Sequence, residues 1–357
     1  MKKIFLIIPN LHRGGAEKFM TFLANNLDKN KFDVSLVLLE KKGSYLKELS
    51  DNVKIIDIGT KKVSKSFFSI IRLLNKEKPD IVFSTLGHLN LLMMMIKPFV
   101  NKKIKFIARE ASIPSIYNKN DKKVFNLLYK ILYPKFDKIV CQSNFMLKDL
   151  KINYQISPDK MVVIHNPVDI DKITKLKKEV PKDLDLNKKN VIAVGSLEPV
   201  KCYDKLIEYF LNIKDKNICL NIIGEGSLKQ KMEVFIKNNN AEDKIKLLGF
   251  KRNPYQYMYH SDLFVIVSKF EGFPNAVLES IACGTPVLGF KCPGGIEDII
   301  VENINGWYVK NRDFKKLINE IENKINHNLN EEKVIDSIRK FEITNVINKY
   351  EELFERL

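Results

Sequence analysis

Two glutamates, Glu271 and Glu279, bracket the stretch EGFPNAVLE. Residues 262–267 ahead of them form an apolar, β-branched run of strand length. The residues behind them read as a helix that opens with Pro274 in its first turn, where a missing N–H costs nothing. The helix closes at Gly284, with Pro286 just beyond. The first-turn N–H groups of Asn275, Ala276 and Val277 would then have no partner inside the helix. Donors at a positive helix terminus suit a phosphate, and a carboxylate on each side could accept sugar hydroxyls. That chemistry is a clamp for a nucleotide-sugar. A plain parallel-sheet βα unit with two solvated glutamates has the same spacing.

Other candidates also follow strands. A short apolar strand at 3–9 leads into NLHRGG (10–15) and a helical pattern over 16–27. Gly14 and Gly15 permit close backbone approach at that helix start. The string matches neither GxGxxG nor GxxxxGK[ST], and a tight βα turn explains it equally well. His88, Arg109 and Glu110 come just after predicted strands at 80–85 and 105–108, the edge where open α/β sheets bind ligands. Asp169–Asp171 and Asp183–Asp185 each read D-x-D, but one falls in a linker and the other in a polar surface run, so no metal is assigned.

The elements that must position these groups alternate. Further strands are expected at 32–39, 53–58, 138–142 and 161–164, and the pattern restarts at 191–194, 219–223, 245–248 and 287–290. Strands alternating with helices predict parallel, doubly wound sheets. Two such sets joined at HNPVD (165–169) predict two similar domains facing across a cleft.

The 357 residues are 45% hydrophobic, enough for two large cores. MKKIFLIIPN starts basic, but its apolar run ends at Pro9, which predicts no signal peptide. The apolar stretch 89–100 contains Asn90, Lys97 and Pro98 and is too short to span a bilayer. Five cysteines without metal-type spacing read as reduced, cytosolic thiols. The net charge of +17 is segregated: residues 1–168 hold 30 Lys and Arg against 14 Asp and Glu, and the remainder 30 against 29. A basic first half points to an anionic partner, although a lysine-rich background would also raise the count. Lys61, Lys65, Arg72 and Lys76 fall within a roughly 60° arc if 61–76 is one helix, a stripe for lipid head groups or merely a solvated face. Residues 113–136 interleave Tyr117, Phe125, Tyr129, Tyr133 and Phe136 with Lys119, Lys122, Lys123, Lys130 and Lys135. Such a mixture suits a membrane interface or nucleic acid.

Read in order, the motifs resemble the retaining nucleotide-sugar glycosyltransferases of family GT4, which have the GT-B fold. The resemblance rests on E-x7-E at Glu271 and Glu279, with Gly14 and Gly15 after the first strand and HNPVD at the linker. VGSLEPVK, GEGSL, Gly249–Phe250, ACGTPV, GGIEDII and NGWYV complete the series. It implies an α/β chain of two Rossmann-like doubly wound domains. Residues 1–166 would bind the acceptor and 167–341 the nucleotide-sugar, with helix 342–357 packing back on the first. It further implies that Glu271 binds the donor sugar and Glu279 the ribose, while Asn275, Ala276 and Val277 hold the diphosphate within a donor site that includes Phe273 and Pro274. Lys201 would neutralise the departing phosphate, Gly15 would let the backbone close on the donor, and Gly249, Phe250 and Lys251 would line the base pocket.

Two departures stand out. Ser196 occupies the place of a frequent arginine, and AREAS replaces a frequent histidine, leaving Arg109 or Glu110 on that ground and no general base named. Residues 133–137, 157–167 and LLGFKRNPYQYM look similar to bacterial transferases that build undecaprenyl-linked glycans, some of which add N-acetylgalactosamine. The expected activity is sugar transfer from a UDP-sugar to a lipid-linked saccharide, without metal or other cofactor. Its place would be peripheral, on the inner face of the plasma membrane, held through the basic first domain. A non-catalytic nucleotide-sugar binder and a GT4 enzyme with a soluble acceptor are the alternatives. A nucleic-acid partner is not expected, because the second half is neutral and carries no RNA or DNA motif.

Overall fold

A computed structural model describes residues 1–12, 14–117 and 122–357. The chain divides into two compact units, one of residues 1–166 with 344–357 and one of 167–343.

The first unit is built on seven parallel strands: β1 (Lys2–Ile8), β2 (Phe32–Leu38), β3 (Lys54–Asp57), β4 (Ile81–Thr85), β5 (Lys105–Arg109), β6 (Lys138–Cys141) and β7 (Met161–Val163). Their order is β3-β2-β1-β4-β5-β6-β7, so the winding reverses between β1 and β4. The central strands are buried along nearly their whole length: Ile4 to Ile8 and Ile81 to Phe83 have no exposed surface. Helices on both faces explain why these strands read as continuous apolar runs instead of alternating ones. The second unit repeats the plan with six parallel strands: β8 (Lys189–Val194), β9 (Ile218–Ile223), β10 (Ile245–Gly249), β11 (Leu263–Ile266), β12 (Val287–Phe290) and β13 (Gly306–Val309). Their order is β10-β9-β8-β11-β12-β13, and the reversal falls between β8 and β11. In such sheets the carboxyl edge at the reversal is where ligands bind.

The last helix, Ile343–Glu355, belongs to the first unit from Thr344 onward. Tyr350 packs at 5.4 Å from Phe19, and Phe354 at 5.8 Å from Phe83 and 6.1 Å from Phe32. Lys2 donates to the carbonyls of Phe354 at 3.0 Å and Glu355 at 2.8 Å, a cation on the negative end of the helix.

The basic stripe expected over 61–76 is broken. The α-helix spans only Phe67–Glu77, and a 3₁₀ turn, Val63–Ser66, precedes it. Ser66 Oγ closes that turn on the Val63 carbonyl at 2.6 Å. A 3₁₀ turn has 3.0 residues per turn, so the angular relation of Lys61 and Lys65 to Arg72 and Lys76 is lost. The basic–aromatic segment forms helices at Pro114–Tyr117 and Lys122–Leu132. Lys119 lies outside the described residues, as do Arg13 of the glycine loop and the side chains of Tyr117 and Lys122. Among the described residues no helix is long and apolar enough to cross a membrane.

Candidate active site

The chain leaves β11 at Ile266 and makes a loop whose backbone is held from the next crossover. Glu271 N–H donates to the Pro293 carbonyl at 2.9 Å, and Gly295 N–H to the Gly272 carbonyl at 3.1 Å. Glu271 and Gly294 thereby form a bridge of strand type. Gly294 has φ +128°, and a Cβ there would lie 1.6 Å from the Glu271 carbonyl oxygen. Both counts favour glycine at this position. Phe273 is buried, packs at 5.6 Å from Phe341, and would meet any Cβ at Gly295 at 2.5 Å. Its ring therefore anchors the loop from beneath.

This pairing sets the Glu271 carboxylate against the Lys201 ammonium at 2.6 Å, with Ser268 Oγ donating to the same oxygen at 2.5 Å. Both side chains are mostly enclosed, 11% exposed for Glu271 and 22% for Lys201. Enclosure strengthens such a charge-assisted bond relative to one in water. The loop after β8 positions Lys201. Gly195 N–H donates to the Ile223 carbonyl at 3.0 Å and Leu197 N–H to that of Glu225 at 2.9 Å. A Cβ at Gly195 would meet the Tyr203 hydroxyl at 2.8 Å and Lys201 Cε at 3.5 Å. Lys269 N–H donates to the Val200 carbonyl at 2.8 Å, so the loops carrying the two charges are tied directly. Ser196 is exposed beside them and brings no charge.

The helix behind the loop spans Asn275–Cys283, with Pro274 at the N-cap instead of inside the first turn. The Pro274 carbonyl accepts from Val277 N–H at 3.0 Å and Leu278 N–H at 3.3 Å. Val277 is thus corrected: its N–H is engaged by a tight first turn. Among the described residues the N–H of Ala276 makes no backbone hydrogen bond. Glu279 stands half-buried one turn further in, and Gly284, at φ +93°, ends the helix.

Gly249 turns the chain at φ +68°, its carbonyl accepting from Gly224 N–H at 3.0 Å. Phe250 is 51% exposed, and its N–H donates to Glu225 at 3.3 Å. Lys251 is spoken for: it pairs with Asp183 at 2.5 Å, and Tyr257 donates to the same carboxylate at 2.6 Å. Asp183 is accordingly held below the usual carboxylate range by these partners, against the effect of partial burial. Asp169 caps the Ile170–Leu176 helix through Lys172 N–H at 2.9 Å. Among the described residues no cluster of three or more His, Cys, Asp or Glu could hold a metal ion.

In the first unit, Gly14 caps the Gly15–Asn26 helix in an extended conformation that any residue adopts, and a Cβ there would meet only the movable Glu17 carboxylate, at 2.1 Å. His88 is exposed at the start of the Gly87–Ile96 helix. Arg109 and Glu110 are not surface groups, which corrects their placement at a ligand edge. Arg109 is 1% exposed, stacks 3.7 Å from the Phe19 ring and donates to Asn166 Oδ1 at 2.6 Å. Glu110 has no exposed surface; one carboxylate oxygen accepts from Tyr133, from Asn90 at 3.3 Å and from Tyr129 at 3.4 Å. Burial raises its pKa to about 7. Sequence reasoning missed Ser268, Gly294 and Arg312 as parts of the second unit's site. Ser268 was three residues from Glu271 and in reach of a reading by spacing; Arg312, far along the chain, was not.

Two doubly wound parallel sheets of this kind are the Rossmann-like domains of the GT-B fold. HepE of Anabaena, solved in complex with UDP, has the same fold, with a TM-score of 0.83 over 100% of each chain at 17% identity. Residues 13–172 match the model of glycosyltransferase family 4, and residues 174–341 that of glycosyl transferases group 1. The N-acetylgalactosamine-N,N'-diacetylbacillosaminyl-diphospho-undecaprenol 4-alpha-N-acetylgalactosaminyltransferase of Campylobacter jejuni is 33% identical over 87% of this chain and 86% of its own length. The chain belongs to glycosyltransferase family 4. A UDP-Gal:alpha-D-GlcNAc-diphosphoundecaprenol alpha-1,3-galactosyltransferase of Escherichia coli is 26% identical over 90% of this chain and 92% of its own length.

Proposed function

We propose that this glycosyltransferase moves a hexose or N-acetylhexosamine from a UDP-sugar, with retention, onto a lipid-diphosphate-linked saccharide during assembly of a bacterial surface polysaccharide or glycoprotein glycan. The observation that carries the reading is the enclosed Lys201–Glu271 pair beside the Asn275–Cys283 helix start. The names of the Campylobacter and Escherichia relatives, α-glycosyl transfer to diphosphoundecaprenol-linked sugars, support the acceptor class.

In this reading the bond from the anomeric carbon to the diphosphate oxygen breaks as the acceptor hydroxyl attacks the same face. The electron pair leaves with the diphosphate, whose oxygen takes the acceptor proton. Lys201 and the helix-start N–H groups of Asn275 and Ala276 stabilise the charge that develops on the leaving group. Glu271 receives the donor sugar hydroxyls, Glu279 the ribose, and the backbone at Gly249 and Phe250 the base. With Ser196 uncharged and Lys251 committed to Asp183, Lys201 carries the largest share of the neutralisation. The reading assigns no metal, and it is supported by the structural partners that Asp169 and Asp183 already have.

Membrane attachment is assigned to the first unit. Its Lys122–Leu132 helix exposes Val124, Leu127 and Ile131 on one face, next to exposed Lys123 and Lys130. This face replaces the broken 61–76 stripe as the element suited to an anionic bilayer.

The test is a panel of UDP-sugars against undecaprenyl-diphosphate-linked acceptors, with and without EDTA, read by UDP release and product mass. Turnover of one pair in both conditions is expected. Saturable UDP binding with no product would replace the enzyme by a binder, and activity lost to EDTA and restored by manganese would overturn the metal-free mechanism.

A further inference from the structure

Arg312 lies far in sequence from both charges of the pair, yet it touches the loops that carry them. Its guanidinium donates to the carbonyls of Val267, at 3.1 Å, and Ser268, and reaches Cys202 Sγ at 3.5 Å. The first two precede Glu271 and include the serine that bonds it; the third follows Lys201 directly. Phe290 of β12 supports the guanidinium from 5.2 Å. The backbone at Asn311 and Arg312 is left-handed, with φ +61° and +51°. Non-glycine residues adopt that region only occasionally, and two in succession mark a backbone held by its contacts. Cys292, buried nearby, lies within electrostatic reach of Glu271, Arg312 and Lys201 together.

We propose that Arg312 is a positioning residue for the Lys201–Glu271 pair, a single fork that fixes the β11 and β8 loops relative to each other and so sets the register of ammonium against carboxylate. The proposal rests on the reading of that pair as the donor-sugar site. Three features favour it. The planar fork satisfies two carbonyls at once, which an ammonium cannot do with the same rigidity. The contacts fall on the backbone on one side and a thiol on the other, so Arg312 is not itself available to the donor. Its charge also offsets one carboxylate of the site, leaving Lys201 less burdened by the charge of Glu271.

The experiment compares wild type, Arg312→Ala and Arg312→Lys, each also in a Lys201→Met background. Expected for Arg312→Ala is a fall in kcat on the order of tenfold or more, with UDP Kd changed less than about threefold. Arg312→Lys should recover part of kcat. In the Lys201→Met background the same alanine substitution should cost less than about threefold, because the pair it positions is already broken. A second readout does not require turnover: acylation of Lys201 by a water-soluble ester, followed by peptide mass, should run several-fold faster in Arg312→Ala. Unchanged kcat and labelling in Arg312→Ala, or full multiplicativity with Lys201→Met, overturns the proposal. Where wild type shows no transfer, faster labelling still supports the positioning role and only the glycosyltransfer reading of the pair fails. Should Arg312→Ala not fold, Arg312→Lys carries both measurements, and wild-type kcat and labelling there count against the proposal.

Discussion

Each unit places a glutamate beyond the carboxyl end of a parallel strand, and the two are treated in opposite ways. Glu110 directly follows β5, has no exposed surface and is served by neutral donors, the hydroxyls of Tyr133 and Tyr129 and the amide of Asn90. The nearest cation, Arg109, spends its guanidinium on Asn166 and Phe19. Glu271 sits in a loop beyond β11, keeps 11% of its side chain exposed and faces an ammonium at 2.6 Å. Topology therefore brings a carboxylate to the edge without deciding its chemistry. Neutral donors in a dry pocket hold a carboxyl group as part of the core. A charged partner at a partly open edge leaves one able to exchange that partner for a ligand.

The comparison breaks first if Glu271 is as structural as Glu110. Glu271→Gln keeps the shape and the Ser268 contact but removes the charge facing Lys201. Turnover is expected to fall on the order of 10²-fold, about 3 kcal/mol of transition-state stabilisation, with UDP affinity nearly intact. Glu279→Ala should do the reverse and weaken UDP roughly tenfold, the loss of about one charge-assisted hydrogen bond. Steady-state kinetics and calorimetry on the two variants separate these roles, and an exchanged pattern would reverse the assignments.

How much of this contrast could be read from residues alone depends on its range. The strands were legible because a strand covered on both faces is apolar throughout, as Ile4–Ile8 and Leu263–Ile266 are. EGFPNAVLE was legible as a loop and helix start because proline and glycine punctuate it. Ser66 closing a 3₁₀ turn on Val63 was not, and it dissolved the 61–76 stripe. The engagement of Val277 N–H by Pro274 depends on how tightly one turn winds. Glu110 reads like any polar residue after a strand, and its burial is decided by Tyr129 and Tyr133, some twenty residues away. Arg312 is further still from the loops it grips.

A smaller effect sharpens the comparison from the backbone side. Glu271 owes its place to main-chain pairing with residues 293–295, whereas side chains cage Glu110. Gly294→Ala puts a Cβ 1.6 Å from the Glu271 carbonyl in a left-handed conformation. Destabilisation of about 2–3 kcal/mol and a matching loss of turnover are expected. Thermal unfolding and kcat measured on one preparation check it, and wild-type values in both would show that the bridge does not hold Glu271.

The last test addresses the other carboxylate through pH. Burial is the main cause of the rise of Glu110 to about 7; the hydrogen bonds from Tyr133, Asn90 and Tyr129 and the charge of Arg109 pull the other way without cancelling it. Around it Tyr129, Tyr133 and Cys141 are themselves pushed well up by burial, so none ionises in the same range. The folded chain thus keeps a proton on Glu110 up to about pH 7, while the unfolded chain releases it near the ordinary glutamate value of 4.5. Between these values the unfolded state binds fewer protons, so the stability contribution of Glu110 is complete below the lower value and declines as pH rises through the upper. The full decline is on the order of 3 kcal/mol. Glu110→Gln cannot titrate. Urea unfolding of wild type and variant at pH 5 and pH 8 should give wild type a steeper loss, whatever the absolute cost of the amide. The difference between the two slopes removes the contribution of the histidines, which both proteins share. Parallel slopes would mean that Glu110 is ionised within its tyrosine cage, and the distinction between the two carboxylates would then rest on geometry alone.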